Sequence, residues 1–314
     1  MGNVIYHQQP SLERPTMVAA MAGWPDAQTG GSGAVKYLIR KLSAEKFAEL
    51  DPEEFYQFTR RRPIARIGPE GRRILRWPSN NFYQCKVEAT SQEFVFFVGI
   101  EPQLKWKTYT AALMEVIHQC NTQRVIFLGS LLDAVPHTRT PSITGSATTP
   151  QLQAVLEEMG VRESKYEGPT GAPTVLMEAC RSDSIEYASL WAHSPHYLQT
   201  SPNPKSTHVL LKQLTAMVGL DVNLTDLAEA ATAFEAQVNR VLADNQEMST
   251  YVRRLEEQYD QATENPTQEP QEELPSSDIV IKELEEFLRG QHPRPEGDTA
   301  TGDQDEGPQV GQGP

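Results

Sequence analysis

"EFVFFVGIEPQLKWKTYTAALMEVIHQCNTQRVIFLGS", residues 93–130, decides the fold. It opens and closes on two almost continuous apolar runs, Glu93–Pro102 and Gln123–Ser130. Runs apolar on both faces are the mark of strands covered on both sides. Between them, apolar residues at 109, 113, 116, 117 and 120 follow helical spacing. Strand, amphipathic helix, strand is the repeating unit of a layered α/β sheet.

The pattern continues outward on both sides. "TMVAAMAGW" (Thr16–Trp24) is another buried strand, followed by a helix in "GAVKYLIRKL" (Gly33–Leu42). Downstream, "TTPQLQAVLEEMG" is a helix opened by Thr149 and Pro150 and closed by Gly160. "APTVLMEAC" and "SIEYASLWA" read as strands, and "KSTHVLLKQLTAMVG" as a helix closed by Gly219. The expectation is an α/β three-layer sandwich with a mainly parallel or mixed central sheet. Ligands in such sheets sit outside the carboxyl ends of the strands. Three loops leave those ends: "AGWPDAQTGGSG", "GIEPQLKW" and "GSLLDAVPHTRTP".

Inside this frame, "FTRRRPIARIGPEGRRILRWP" has a Gly-Pro-Glu-Gly turn between strand-like pieces and reads as a β-hairpin insertion near 55–90. It carries seven arginines between Arg60 and Arg76. They suit either a basic patch, with Phe58 and Trp77 for stacking, or a solvated hairpin paired to acids elsewhere in the fold. Nucleic acid is the less favoured partner, because the body is nearly charge-balanced.

The α/β domain is expected to span 1–222 and to be followed by a long helical segment, 223–262. There Leu227, Phe234, Val241, Met248 and Leu255 form one seven-residue series, and Ala231, Val238, Asn245, Val252 and Tyr259 form another. This is the pattern of a coiled-coil seam or of a helix packed along a body. Packing onto the chain's own domain and a subunit contact both account for it, as do one helix or two broken near Ala243–Asn245. The oligomer-contact set is Leu227, Phe234, Val238, Val241, Asn245, Met248, Val252 and Leu255. Beyond lie a Pro/Glu/Gln-rich linker (263–276), a short capped helix (277–290) and a disordered tail (291–314).

Of the 314 residues, Thr263–Pro314 hold 13 acids and 3 bases, a net of −10 against −14 for the whole chain. The acidity therefore belongs to the tail. Three cysteines (Cys85, Cys120, Cys180) form neither a disulfide framework nor a zinc pattern. With no signal-like start and no apolar run near the roughly 20 residues of a membrane helix, a soluble, cytoplasmic protein is expected.

Chemical motifs are thin. "AQTGGSGAVK" precedes a helix, yet neither the phosphate-loop nor the dinucleotide glycine pattern is present; a tight strand-to-helix turn and an anion site both fit. No G-x-S-x-G elbow and no H-x-x-x-H or H-x-H spacing occurs, so no catalytic residue, metal or cofactor is expected. Asp26, Asp133, His137 and His196 would form a catalytic set only if the fold brought them together. Two Pro-His loops, "PHTRTP" and "SPHYLQTSPNP", suggest paired walls of one pocket, with Trp24, Asp26, Glu101, His137, Arg139, Trp191, His196 and Tyr197 as its candidate lining. Arg139 would hold an anion.

"GWPDAQTGGSGAVKYL", "GIEPQLKWKTY", "LGSLLDAVPHTRTP", "YEGPTGAPTVL" and "SLWAHSPHYLQTSPNPKSTHVLL" together resemble the proteasome assembly chaperone type 2 family in its actinobacterial form, over roughly residues 1–260. The resemblance implies a fold like that of nucleoside phosphorylases and peptidyl hydrolases. It also implies a chaperone-like, non-catalytic role as a homo-oligomer, with a trimer favoured, acting on a proteasome-related protein partner. The final "GQGP" lacks the hydrophobic–Tyr–any-residue tail that docks into proteasome pockets. The alternative is a small-ligand binder or enzyme using a phosphorylase-like pocket at the strand ends.

Overall fold

The structure is a computed structural model and describes residues 2–68, 71–198, 202–243 and 245–264. The short helix and tail expected at 277–314 lie outside the described residues, as does the expected linker from 265 on; Thr263 and Glu264, its first two positions, belong to a helix. In chain order the elements are β1 (Val4–Tyr6), β2 (Thr16–Ala22), α1 (Gly30–Lys41), β3 (Glu45–Leu50), β4 (Ile64–Ile67), β5 (Arg73–Arg76), β6 (Asn80–Val87), β7 (Gln92–Ile100), α2 (Trp106–Gln119), β8 (Arg124–Asp133), β9 (Ile143–Ala147), α3 (Pro150–Glu158), β10 (Arg162–Glu163), α4 (Ala172–Ser182), β11 (Glu186–Pro195), α5 (Pro204–Val218), α6 (Thr225–Ala243) and α7 (Gln246–Glu264).

Nine strands form one mixed sheet in the order β1-β3-β6-β7-β2-β8-β11-β9-β10. The centre, β7-β2-β8-β11, is parallel. β6 and β9 flank it antiparallel, and β3 and β1 extend the β6 side antiparallel. The apolar run of β8 shows why the central strands carry no polar alternation. Val125 and Phe127 enter the core under α2 and α4, whereas Ile126 and Leu128 enter the core under α1, α3 and α5. Successive side chains point to opposite faces, so a sheet covered twice needs apolar residues at every position. The three-layer sandwich follows.

"APTVLMEAC" is a helix, α4, and not the strand its apolar run suggested. Pro173 sits in its first turn, where a missing N–H costs nothing, whereas a central strand would lose a ladder bond there. Buried Ala172, Leu176 and Cys180 recur every four residues. Asn80–Val87, inside the 55–90 stretch, is a full strand of the main sheet, so the hairpin proper is only β4–β5.

The helical segment is two helices, α6 ending at Ala243 and α7 beginning at Gln246. Phe234, Val238 and Leu242 of α6 and Met248, Val252 and Leu255 of α7 bury together against Tyr197 and Leu198, with Val241 partly buried beside them. Leu227 joins the core beneath α5. These side chains are therefore used inside the chain itself. Asn245 caps α7: its Oδ1 accepts the Met248 N–H at 3.0 Å. Among the described residues no helix is long and apolar enough to cross a membrane.

Candidate functional site

The Gly-rich turn is closed from within. Asp26 is buried, and its Oδ1 accepts the N–H groups of Gly31 (2.9 Å) and Ser32 (3.0 Å) at the start of α1. A carboxylate of the chain thus occupies the place an external anion would take. Burial pushes the Asp26 carboxyl up, against these two hydrogen bonds. Gly31 serves close approach: a Cβ there would lie 2.2 Å from the Leu128 carbonyl oxygen. Gln28, in left-handed backbone (φ 52°), reaches across to the other loop. Its Nε2 donates to the carbonyls of Pro195 (2.8 Å) and Leu198, and its Oε1 accepts Asn203 Nδ2 at 2.7 Å.

The two Pro-His loops do meet, through Tyr197. Its hydroxyl accepts the His137 backbone N–H at 2.8 Å and lies 2.7 Å from His137 Nδ1, to which it donates. Nε2–H then donates to Asn239 Oδ1 of α6 at 3.0 Å. The Lys205 ammonium donates to the His137 carbonyl and to Glu235. Both ring nitrogens of His137 are consumed, and burial pushes its pKa down, so the ring is held neutral. His196 Nδ1–H donates to the Asp133 carbonyl (3.1 Å), and Tyr251 of α7 meets its Nε2 at 3.2 Å. Arg139 grips Asp260 of α7 bidentately, at 2.8 and 2.7 Å, with Glu256 at 3.4 Å. Hence, among the described residues, no hydrogen bond joins Asp26, His137 and His196 to one another, and Arg139 has its anion in cis.

The remaining candidates lie apart from this group. Trp24 is exposed and stands over Gly171, where a Cβ would come within 3.3 Å of its ring. Glu101 accepts the Ala172 N–H at 2.9 Å, and burial raises its carboxyl. Trp191 packs on Phe127 (ring centroids 5.6 Å) and over Gly129, on the face covered by α2 and α4. The expected pocket lining therefore splits into a sealed cluster under α6–α7 and an open rim around Trp24 and Glu101. Two surface hollows are lined by other residues. One, of about 570 Å³, lies between α2 and α4; the other, of about 510 Å³, lies at the opposite end of the strands around Arg14 and Arg124.

A row crosses three neighbouring strands, and of its members only Asp133 was among the residues singled out from sequence. Asp133 of β8 accepts His193 Nδ1–H at 2.7 Å, and Thr144 of β9 lies 3.0 Å from His193 Nε2. Burial pushes the Asp133 carboxyl up, but the His193 hydrogen bond and charge outweigh it and hold it below its ordinary value. The spacings are those of a hydroxyl, a base and its orienting carboxylate. The only signal in the sequence was period two from Trp191, and its use required the register of β11 against β8 and β9.

The chain belongs to the PAC2 family, whose model matches residues 20–242. Among solved structures it is similar to a PAC2 family protein from Streptomyces avermitilis: 37% identity, TM-score 0.70, covering 76% of this chain and 99% of that one. It is also similar to the Mycobacterium tuberculosis proteasome-assembly chaperone homologue Rv2125: 34% identity, TM-score 0.69, with the same coverages of 76% and 99%. The fold is shared with Pyrococcus furiosus PbaB, an archaeal proteasome activator, at 19% identity and TM-score 0.62, over 76% of this chain and 97% of that one. No curated protein matched.

Proposed function

We propose that this chain is a non-catalytic, chaperone-like assembly protein that acts as a homo-oligomer on a protein partner, proteasome-related as in its described relatives. One contrast carries the reading. The histidines and the arginine that could do chemistry in the two Pro-His loops are bonded to the chain's own groups, whereas large apolar side chains face solvent at the rim. Trp24 and Tyr166 are each 64% exposed, and Leu104 and Leu132 are exposed as well. Exposed aromatics are characteristic of interface anchors. Native mass spectrometry with affinity capture from lysate tests the reading. A discrete oligomer with a specific partner, weakened by Trp24→Ala, is expected. A strict monomer that captures nothing would sink it.

A second reading rests on the Asp133–His193–Thr144 row, which has the hydrogen bonds of an activated hydroxyl. Hydrolysis of activated esters that disappears in both Thr144→Ala and His193→Gln would favour it. Turnover unchanged by either substitution would remove it.

A further inference from the structure

The hairpin β4–β5 pairs only with itself. Its register places Ile64 opposite Arg76 and Arg66 opposite Ile74 on one face, and Ala65 opposite Leu75 and Ile67 opposite Arg73 on the other. Neither face is covered: Ile67 is 76% exposed, Leu75 57%, Ile74 49% and Ile64 41%. An isolated two-stranded hairpin is marginal in water. Aliphatic residues on both faces make this one a surface that lacks its cover. The Phe58–Trp77 contact, at 4.9 Å, braces its base. Arg60, Arg61, Arg62, Arg66, Arg73 and Arg76 form no ion pair with any described residue.

The missing cover must bring both carboxylates and aliphatic groups. Nucleic acid would satisfy the arginines and leave the isoleucines bare. The same hairpin of a second copy would set arginine against arginine. The sequence holds one short segment of the right chemistry, "DIVIKELEEFLR" at 278–289, with Asp278, Glu283, Glu285 and Glu286 alongside Val280, Ile281, Leu284, Phe287 and Leu288.

It is also within reach. The hairpin leaves the sheet where β7 ends, since Asn81 pairs with Val98 and the Tyr56 hydroxyl donates to the Ile100 carbonyl. α7 approaches its own end beside the loop before β9, where the Tyr259 hydroxyl donates to the Thr140 carbonyl at 2.7 Å. Both places are at the same end of the sheet. β6 and β9 are five strand spacings apart in the sheet order, roughly 24 Å. The stretch from Glu264 to Asp278 spans up to about 45 Å when extended.

We propose that residues 278–289 dock on the β4–β5 hairpin of the same chain, their acids against its arginines and their apolar side chains on its isoleucines and leucine. The inference does not depend on the chaperone reading. Hydrogen exchange read by mass spectrometry on the full chain tests it. Both 64–76 and 278–289 should be protected at low salt, at a level independent of protein concentration. Arg66→Glu/Arg73→Glu/Arg76→Glu should speed exchange in 278–289 at least tenfold, and Glu283→Arg/Glu285→Arg/Glu286→Arg should do the same in 64–76. Combining the six changes should restore protection, an outcome misfolding cannot imitate. No protection in the unmodified chain overturns the proposal, as does failure of the combination to restore it. Protection that rises with concentration alongside dimer mass overturns the assignment to the same chain, and hairpin protection appearing only with added single-stranded DNA gives the surface to nucleic acid instead.

Discussion

The loop Pro136–Pro141 and the hairpin β4–β5 lie at the same end of the sheet, and each carries arginine in a proline-bounded stretch. Their fates are opposite. In the loop, His137 and Arg139 find acceptors on α6 and α7, so polar side chains act as clasps that fix two helices to the body. In the hairpin, Ile64, Ile67, Ile74 and Leu75 are exposed, beside exposed Arg73 and Arg76. Residue type offered the loop as one wall of a ligand pocket and the hairpin as either a basic patch or a solvated hairpin, and the covering of each changes the weight of the two. A buried polar group that is fully hydrogen-bonded is structure first; an apolar group bared on an unbraced hairpin is the better pointer to a binding event.

The comparison fails if α6–α7 do not belong to their own body, and Leu255→Ala tests this with the largest expected effect. Leu255 is buried in the cluster with Tyr197 and Val238. Truncation should cost about 2–5 kcal/mol of unfolding free energy in urea, with oligomer mass unchanged. A fall in oligomer mass at unchanged stability would move the seam to a contact between copies.

His137→Ala comes next. It orphans the buried Tyr197 hydroxyl and the Asn239 side chain, a loss of about 1–3 kcal/mol. Trp24→Ala, on the exposed rim, should stay within about 0.5 kcal/mol while weakening partner capture. Stability loss and binding loss should thus separate between the two sites. Should His137→Ala leave stability intact and abolish an activity, the clasp description is wrong.

Protonation sharpens the same point. Burial holds the folded pKa of His137 below its unfolded value near 6.5. The unfolded chain therefore binds more protons, and stability rises with pH. The contribution is complete above about pH 6.5 and is lost as pH falls towards the folded value. His208, also lowered by burial, acts in the same direction, so His208→Gln is the control. Asp26 and Glu101, whose carboxyls burial raises, act in the opposite direction, so the readout is a difference: from pH 5 to 7.5 the native chain should gain stability relative to His137→Gln. Asp133 adds a separate loss at lower pH, because its folded carboxyl is also held below its unfolded value.

Sequence reading succeeded where one physical demand acted alone. β2, β7, β8 and β11 are covered on both faces, and their apolar runs were plain. β3 (EKFAEL) and β6 (NNFYQCKV) mix buried and half-exposed positions, and their pattern sank into the background. The meeting of the two Pro-His loops was legible as a repeat of "PH" in loops leaving parallel strands. What fills the space between them was not, because Asn239, Tyr251 and Asp260 lie far along the chain and their spacing announces only a helix. Asn245 shows the same limit: a polar residue in a heptad series suggests register, and its actual place is a helix cap that depends on the break before it.

Arg139→Ala gives the smallest effect and separates charge from packing. Its pair with Asp260 is bidentate, and that contact raises the guanidinium pKa, yet both side chains are well exposed to solvent. Exposed ion pairs contribute little and are screened by salt. The variant should lower the denaturation midpoint slightly in 10 mM salt and not measurably in 1 M, while hydrogen exchange in the last turns of α7 speeds up at low salt only. Leu255→Ala should be equally destabilising at both salt concentrations. A salt-independent loss at Arg139 as large as that at Leu255 would mean that the guanidinium holds more than α7, and that the clasp extends into chain beyond residue 264.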